Sequence, residues 1–164
     1  MAFALHSLFL LCGISGLLTG VWSFPMKFYK DNNCPKDWTQ LDSLCYIYEE
    51  ELRSFADAEA ICNILGGNLV SIHSGLENAV VLEVAKNGTA GFWIGLSDSL
   101  EADDYIWTDG TREDFTNFDV TNPSLPQPNS ANGDCVQLDK NDGFWQTMGC
   151  ADLAPYVCVM EAGH

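Results

Sequence analysis

The chain has 164 residues, 47% hydrophobic and 18% charged, with 23 Asp and Glu against 7 Lys and Arg and a net charge of −16. That length fits one domain with a substantial core, and the apolar content excludes an intrinsically disordered chain. The charge excludes a surface built for nucleic-acid phosphates or anionic lipid, which would repel it, and leaves cations, neutral ligands and basic partners.

Met1 to Phe24 contains no Asp, Glu, Lys or Arg and centres on Leu5, Leu8, Phe9, Leu10, Leu11, Ile14, Leu17 and Leu18. It reads as a signal peptide over residues 1–23, cut near Gly20 to Ser23, with secretion and no membrane insertion after cleavage. An uncleaved anchor is the alternative, because the run approaches the length that spans a bilayer. Cleavage removes Cys12 and leaves Cys34, Cys45, Cys62, Cys135, Cys150 and Cys158. Six cysteines in an exported chain form a three-disulfide framework with fifteen possible pairings. No pair has the CxxC spacing of a zinc site. In the same compartment Asn87-Gly88-Thr89 is an N-glycosylation sequon.

Residues 24–33 form a short lead-in, residues 34–160 one domain without an internal linker, and residues 161–164 a tail. Cys45 to Tyr48 reads as a strand. Ser54 with Asp57 caps a helix whose inner face is Ala58, Ile61, Cys62 and Leu65, and Gly66-Gly67 ends it. Asn68 to Ile72 is a short strand. Ser74 and Glu77 form a capping box for a second helix with Leu76, Ala79 or Val80, and Val84 inward. Phe92 to Leu96 is a buried-strand run, and helical periodicity stops beyond it. Between Asp98 and Asp142 lie eleven acidic and two basic residues with prolines at 123, 126 and 128, a long loop broken by Tyr105-Ile106-Trp107. Strands follow at Asp134–Leu138, Gly143–Trp145 and Pro155–Val159. Two helices followed by strands and a long loop give an α+β class.

The ordered set Cys34-Pro35, Trp38, Cys45-Tyr46, Ala58 with Cys62, Gly67 to Ile72, Glu77-Asn78, Phe92 to Leu96, Trp107 to Gly110, Gly133 to Val136, Trp145, Cys150 and Tyr156-Val157-Cys158 resembles a C-type lectin-like domain of the long form. The resemblance covers residues 34 to 158. It implies two helices, small antiparallel sheets, a long loop region and the disulfides Cys62–Cys158, Cys135–Cys150 and Cys34–Cys45. It also places Trp93 and Trp145 in the core.

Calcium is the cofactor the resemblance implies, since sugar-binding members hold it with a triplet around a proline, a later Glu and an Asn-Asp pair after a Trp. Here the triplet is Gln127-Pro128-Asn129, the Glu position is Gly133, and Gln146 and Thr147 follow Trp145. None is a carboxylate, so tight calcium binding there is not expected. Asp98, Glu101 and Asp134 sit where some relatives hold a structural calcium, with a solvated acidic turn as the alternative. Gln127, Asn129, Gln146 and Thr147 are therefore the candidate ligand-binding residues, through amide hydrogen bonds. The expected function is secreted, extracellular, non-catalytic recognition of a glycan or an extracellular protein, in a setting such as innate immunity. A protein-binding or inhibitory domain without sugar binding is the alternative. The mature chain offers His73 and His164 but no nearby nucleophile pairing, so an enzyme is not expected.

Overall fold

The computed structural model describes residues 33–98, 104–129, 131 and 133–163. The expected signal peptide, residues 24–32 of the lead-in, Glu101 and His164 lie outside the described residues.

Two serines start the helices. Ser54 Oγ accepts the Asp57 N–H at 3.3 Å and donates to Asp57 Oδ2 at 2.8 Å, opening α1 (Phe55–Ile64). Ser74 Oγ accepts the Glu77 N–H at 3.2 Å, and Glu77 Oε2 accepts the His73 N–H at 2.8 Å, opening α2 (Gly75–Val84). These contacts satisfy N–H groups that a helix start otherwise leaves unpaired. Past α1 the chain turns at Gly66, whose φ of +95° suits glycine.

The buried face of α1 is Phe55, Ala58 and Cys62, while Leu65 is exposed. The inner face of α2 matches the expectation in part, since Val80 and Val84 pack against the core cluster. Asn78 and Val81 are buried, Ala79 is exposed, Leu76 is 67% exposed, and Val80 and Val84 sit half-buried at the margin. Asn78 Oδ1 accepts from Trp145 Nε1 at 2.8 Å, and its Nδ2 donates to Gly143 O at 3.1 Å. With both amide atoms bonded, this polar residue can be buried.

The described strands are β1 (Thr39–Leu41), β2 (Leu44–Arg53), β3 (Asn68–Leu69), β4 (Phe92–Ser97), β5 (Ile106–Trp107), β6 (Cys135–Leu138), β7 (Trp145–Met148) and β8 (Ala154–Glu161). They join in the order β1-β2-β8-β4-β6-β7, with β3 on β8 and β5 on β4. All pairings are antiparallel except β4 with β8, which meet in parallel at Trp93 and Tyr156. The expected strand at Gly143–Trp145 begins only at Trp145. Gly143 takes a φ of +78° and its N–H bonds Asp139 O at 2.9 Å, so residues 139 to 143 make the turn between β6 and β7. The expected strand Asn68–Ile72 is regular over Asn68–Leu69 and continues in two backbone bonds of the buried Val70, whose N–H donates to Val157 O and whose carbonyl accepts the Gly95 N–H, each at 2.9 Å.

All six positions of β4 are buried, as expected for a strand covered on both faces. Phe92, Ile94 and Leu96 join Val136, Leu138, Trp145 and Val157 in a core cluster that includes Val81 of α2. Trp93 joins Cys135, Tyr156 and Cys158 in a second cluster that includes Phe55 and Ala58 of α1. Each helix thus covers one of the two clusters that the pleat separates. Trp93 and Trp145 are fully buried. The disulfides are Cys34–Cys45, Cys62–Cys158 and Cys135–Cys150, the pairs the resemblance implies. Among the described residues no helix is long and apolar enough to cross a membrane.

Burial in β2 pushes the Tyr46 phenol up to about 12, helped by the negative charges of Glu77 and Asp42. Above the ordinary value near 10 the unfolded chain loses this proton while the folded chain keeps it. Stability from this group is therefore complete below about pH 10, falls as pH rises further, and is gone above about pH 12. Urea unfolding followed across that range should show the decline, and Tyr46→Phe should make it shallower. An unchanged pH dependence in the variant would contradict this assignment.

Candidate functional site

Trp145, the first residue of β7, organises the long loop. Its ring packs edge-on against Trp107, Phe115 and Phe118, with centroids 5.6 to 5.7 Å apart. Its N–H donates to Asn117 O at 2.9 Å and its carbonyl accepts the Asp119 N–H at 3.0 Å. Asn117 Nδ2 adds a bond to Gly143 O at 2.8 Å. The start of the loop is tied down separately: Ser71 Oγ donates to Asp109 Oδ2, and His73 Nδ1 lies 2.8 Å from Asp114 Oδ1. That histidine contact, above all, draws the Asp114 carboxyl below its ordinary value.

From this frame the chain reaches the candidate residues. Gln127 N–H donates to Asp119 O at 3.2 Å, and the Gln127–Pro128 peptide bond is cis. Thr147, 1% exposed, then meets both neighbours of the proline. Its N–H donates to Gln127 Oε1 at 2.9 Å, and its hydroxyl accepts the Asn129 N–H at 3.1 Å. The hydroxyl proton has two acceptors in reach, Gln127 Oε1 at 2.9 Å and Asn129 O at 2.8 Å. Asn129 Oδ1 accepts the Ala131 N–H at 3.1 Å. Because a backbone N–H can only donate, these contacts fix which end of each amide is oxygen. No described residue bonds Gln127 Nε2 or Asn129 Nδ2, and both residues are partly exposed.

The structure brings three of the four candidate residues together. Gln146 stands apart. It pairs with Gln137 across β6 and β7, and the strand pleat sends its side chain to the face opposite Thr147. Of the residues considered for a structural calcium, Asp98 is buried and its N–H bonds Asp134 O at 2.9 Å, whereas the Asp134 side chain is exposed.

These residues do not suit the calcium site of sugar-binding relatives. Calcium takes roughly 6–8 oxygens, several of them anionic in tight sites. Here Gln127 Oε1 and Asn129 Oδ1 already accept internal hydrogen bonds, and neither carries charge. Nearby carboxylates are engaged with their own turns. Asp119 Oδ1 accepts from Thr121 N and Oγ1, Asp139 Oδ1 from Asn141 N, and Asp142 Oδ1 from Phe144 N. The Thr121 hydroxyl, with the Thr121 N–H second, holds the Asp119 carboxyl below its ordinary value. Gly133 has a φ of +136°, and a Cβ there would overlap the Met148 carbonyl, so this backbone does not accommodate a glutamate. Among the described residues no three His, Cys, Asp or Glu side chains gather as a metal-ligand set.

Sequence reasoning had assigned no structural role to Asn78 or Asn117, which set the helix and the loop against Trp145 and Gly143. An asparagine three residues before the apolar Val81 on one helical face was the available signal for Asn78. Asn117, inside a polar loop, carried none.

Comparison with known proteins gives a consistent picture. A family model described as the lectin C-type domain matches residues 51–160. The lactose-binding lectin l-2 of Anguilla japonica is 36% identical over 131 residues, covering 78% of this chain and 78% of that protein. Ladderlectin of Oncorhynchus mykiss is 33% identical over 130 residues, covering 76% of this chain and 66% of the relative. A crystal structure of a calcium-independent type II antifreeze protein superposes with a TM-score of 0.69 at 29% identity, covering 79% of this chain and 95% of that one.

Proposed function

The chain belongs to the C-type lectin domain family, and on that premise we propose that it is a secreted, non-catalytic recognition module that binds a glycan through its long-loop surface. The observation that carries this reading is the Gln127-Pro128-Asn129 segment. It is held on the surface by Thr147, and its two amide nitrogens have no partner among the described residues. Such N–H groups donate to sugar hydroxyl or carbonyl oxygens. The lactose-binding relative adds support by its name. Calcium-dependent sugar capture is not part of the reading, because the donor set does not suit the ion.

A protein ligand is the second reading, favoured by Val120 at 75% exposure and Leu125 at 53% on the same loop. A glycan array probed with the full exported chain in EDTA separates the two. The glycan reading predicts a saccharide signal that falls about tenfold in Asn129→Asp, which keeps the Oδ1 acceptor and removes the donor. A signal unchanged in that variant would contradict the site, and no saccharide signal would favour the protein ligand.

Export also makes Asn87 a glycan acceptor. It is exposed beyond the end of α2, as is Thr89 of the sequon. Secretory expression should give a chain whose mass drops on glycosidase treatment, and Asn87→Gln should lack that shift. A wild-type chain of unmodified mass would contradict it.

A further inference from the structure

Thr147 is bonded on every polar atom it turns toward the loop. One threonine makes four backbone or hydroxyl contacts, three of which can be hydrogen bonds at once, across an 18- to 20-residue separation on both sides of Pro128. It sits in β7, where the ladder with β6 fixes its backbone through pairing with Val136. The anchor is therefore rigid and the segment it holds is a loop.

We propose that Thr147 is the positioning residue of the recognition loop, doing with a hydroxyl and an N–H what a divalent cation would otherwise do. A cation draws carbonyl oxygens toward itself and offers its open positions to ligand oxygens. The Thr147 hydroxyl and N–H instead hold Gln127 Oε1 and the Asn129 backbone carbonyl, Asn129 Oδ1 accepts the Ala131 N–H, and the two amide nitrogens are left outside. The surface then changes its chemistry from an electrophilic metal to a pair of N–H donors, Gln127 Nε2 and Asn129 Nδ2. Ligands that match are neutral and rich in oxygen acceptors. Anionic ones meet a chain of net charge −16, with Asp119 beside the segment. The ligand half of this inference rests on the glycan reading above, whereas the positioning half does not.

Two substitutions separate the roles. Thr147→Val keeps the shape and removes the hydroxyl; Thr147→Ser keeps the hydroxyl. Amide hydrogen exchange is measured on the full chain in EDTA and in calcium, with peptides covering 117–131 and the β2–β8 ladder. Expected is an increase of about tenfold in exchange over 117–131 for Thr147→Val, no change in β2–β8, restoration in Thr147→Ser, and no effect of calcium on the wild type. An unchanged loop in Thr147→Val, or protection of the wild-type loop by calcium, overturns the positioning role. So does loss of protection throughout the chain in both variants, which would mark a merely structural residue.

The same three proteins are then presented with immobilised neutral oligosaccharides in EDTA. Binding by wild type and Thr147→Ser, lost in Thr147→Val, supports the donor surface. Binding that requires calcium overturns it, as does equal binding by Thr147→Val. If the exchange pattern holds while no protein binds saccharide, the positioning role stands and the glycan reading fails.

Discussion

Replacing Cys62 and Cys158 by alanine is expected to lower the unfolding free energy by about 4–5 kcal/mol. The bond closes a loop of 96 residues and joins α1 to β8, two elements far apart in sequence. Most of the stabilisation comes from restricting the unfolded chain, and that restriction grows with the logarithm of loop length. Both half-cystines are fully buried in the cluster around Trp93, so alanine also loses packing there. The Cys34–Cys45 bond, with a separation of 11, should cost less, about 3 kcal/mol by the same argument. Equilibrium urea unfolding followed by tryptophan fluorescence checks both. Equal losses, or a larger loss for the short loop, would contradict the loop-length account.

The second large effect is expected at Trp145. Trp145→Ala should cost about 4–6 kcal/mol, combining loss of a buried aromatic side chain with an orphaned acceptor. The ring contacts Trp107, Phe115 and Phe118, and without Nε1 the buried Asn78 Oδ1 loses its donor. Trp145→Phe retains much of the aromatic packing and should cost about 1–3 kcal/mol, the order of one buried unsatisfied polar group. A double-mutant cycle of Trp145→Phe with Asn78→Leu isolates that bond, because removing both partners leaves no orphan. Strict additivity in the cycle would contradict the role given to Asn78. Trp145→Ala should also expose the loop from Phe115 to Asp119 to proteolysis before the β2–β8 ladder opens.

These effects show what the sequence could and could not reveal. Serine with an acidic residue three positions on marked both helix starts, because capping is local chemistry. The run Phe92 to Leu96 marked a strand covered on both faces. The disulfide pairs came from the family resemblance, since spacing alone left fifteen possibilities. The inner face of α2 was legible at Val80 and Val84 but not at Asn78, whose burial depends on partners distant in sequence. Nothing in the sequence near Ser74 shows that an indole 67 positions away donates to Asn78. The start of β7 was misplaced by two residues, because Gly143 belongs to the turn.

The site was legible in part. Gln127, Asn129 and Thr147 were marked as candidates, yet their joining depends on a fold that brings β7 to the loop. Gln146 was marked with Thr147 because the two stand where the resemblance implies a ligand pair after Trp145, and the pleat separates their side chains. The net charge left cations open, and in the acidic loop Asp119, Asp139 and Asp142 accept hydrogen bonds from residues two positions on. Those carboxylates shape turns.

The long loop around Pro128 is assembled by its own hydrogen bonds. Thermal unfolding of the full chain, read by tryptophan emission in EDTA and then across a calcium titration, tests that assembly most directly. An ion that bound the native loop would raise the midpoint as its concentration passed its Kd. The account predicts superimposable unfolding curves at every calcium concentration. A saturable rise in the midpoint, with a change in native tryptophan emission, would contradict it.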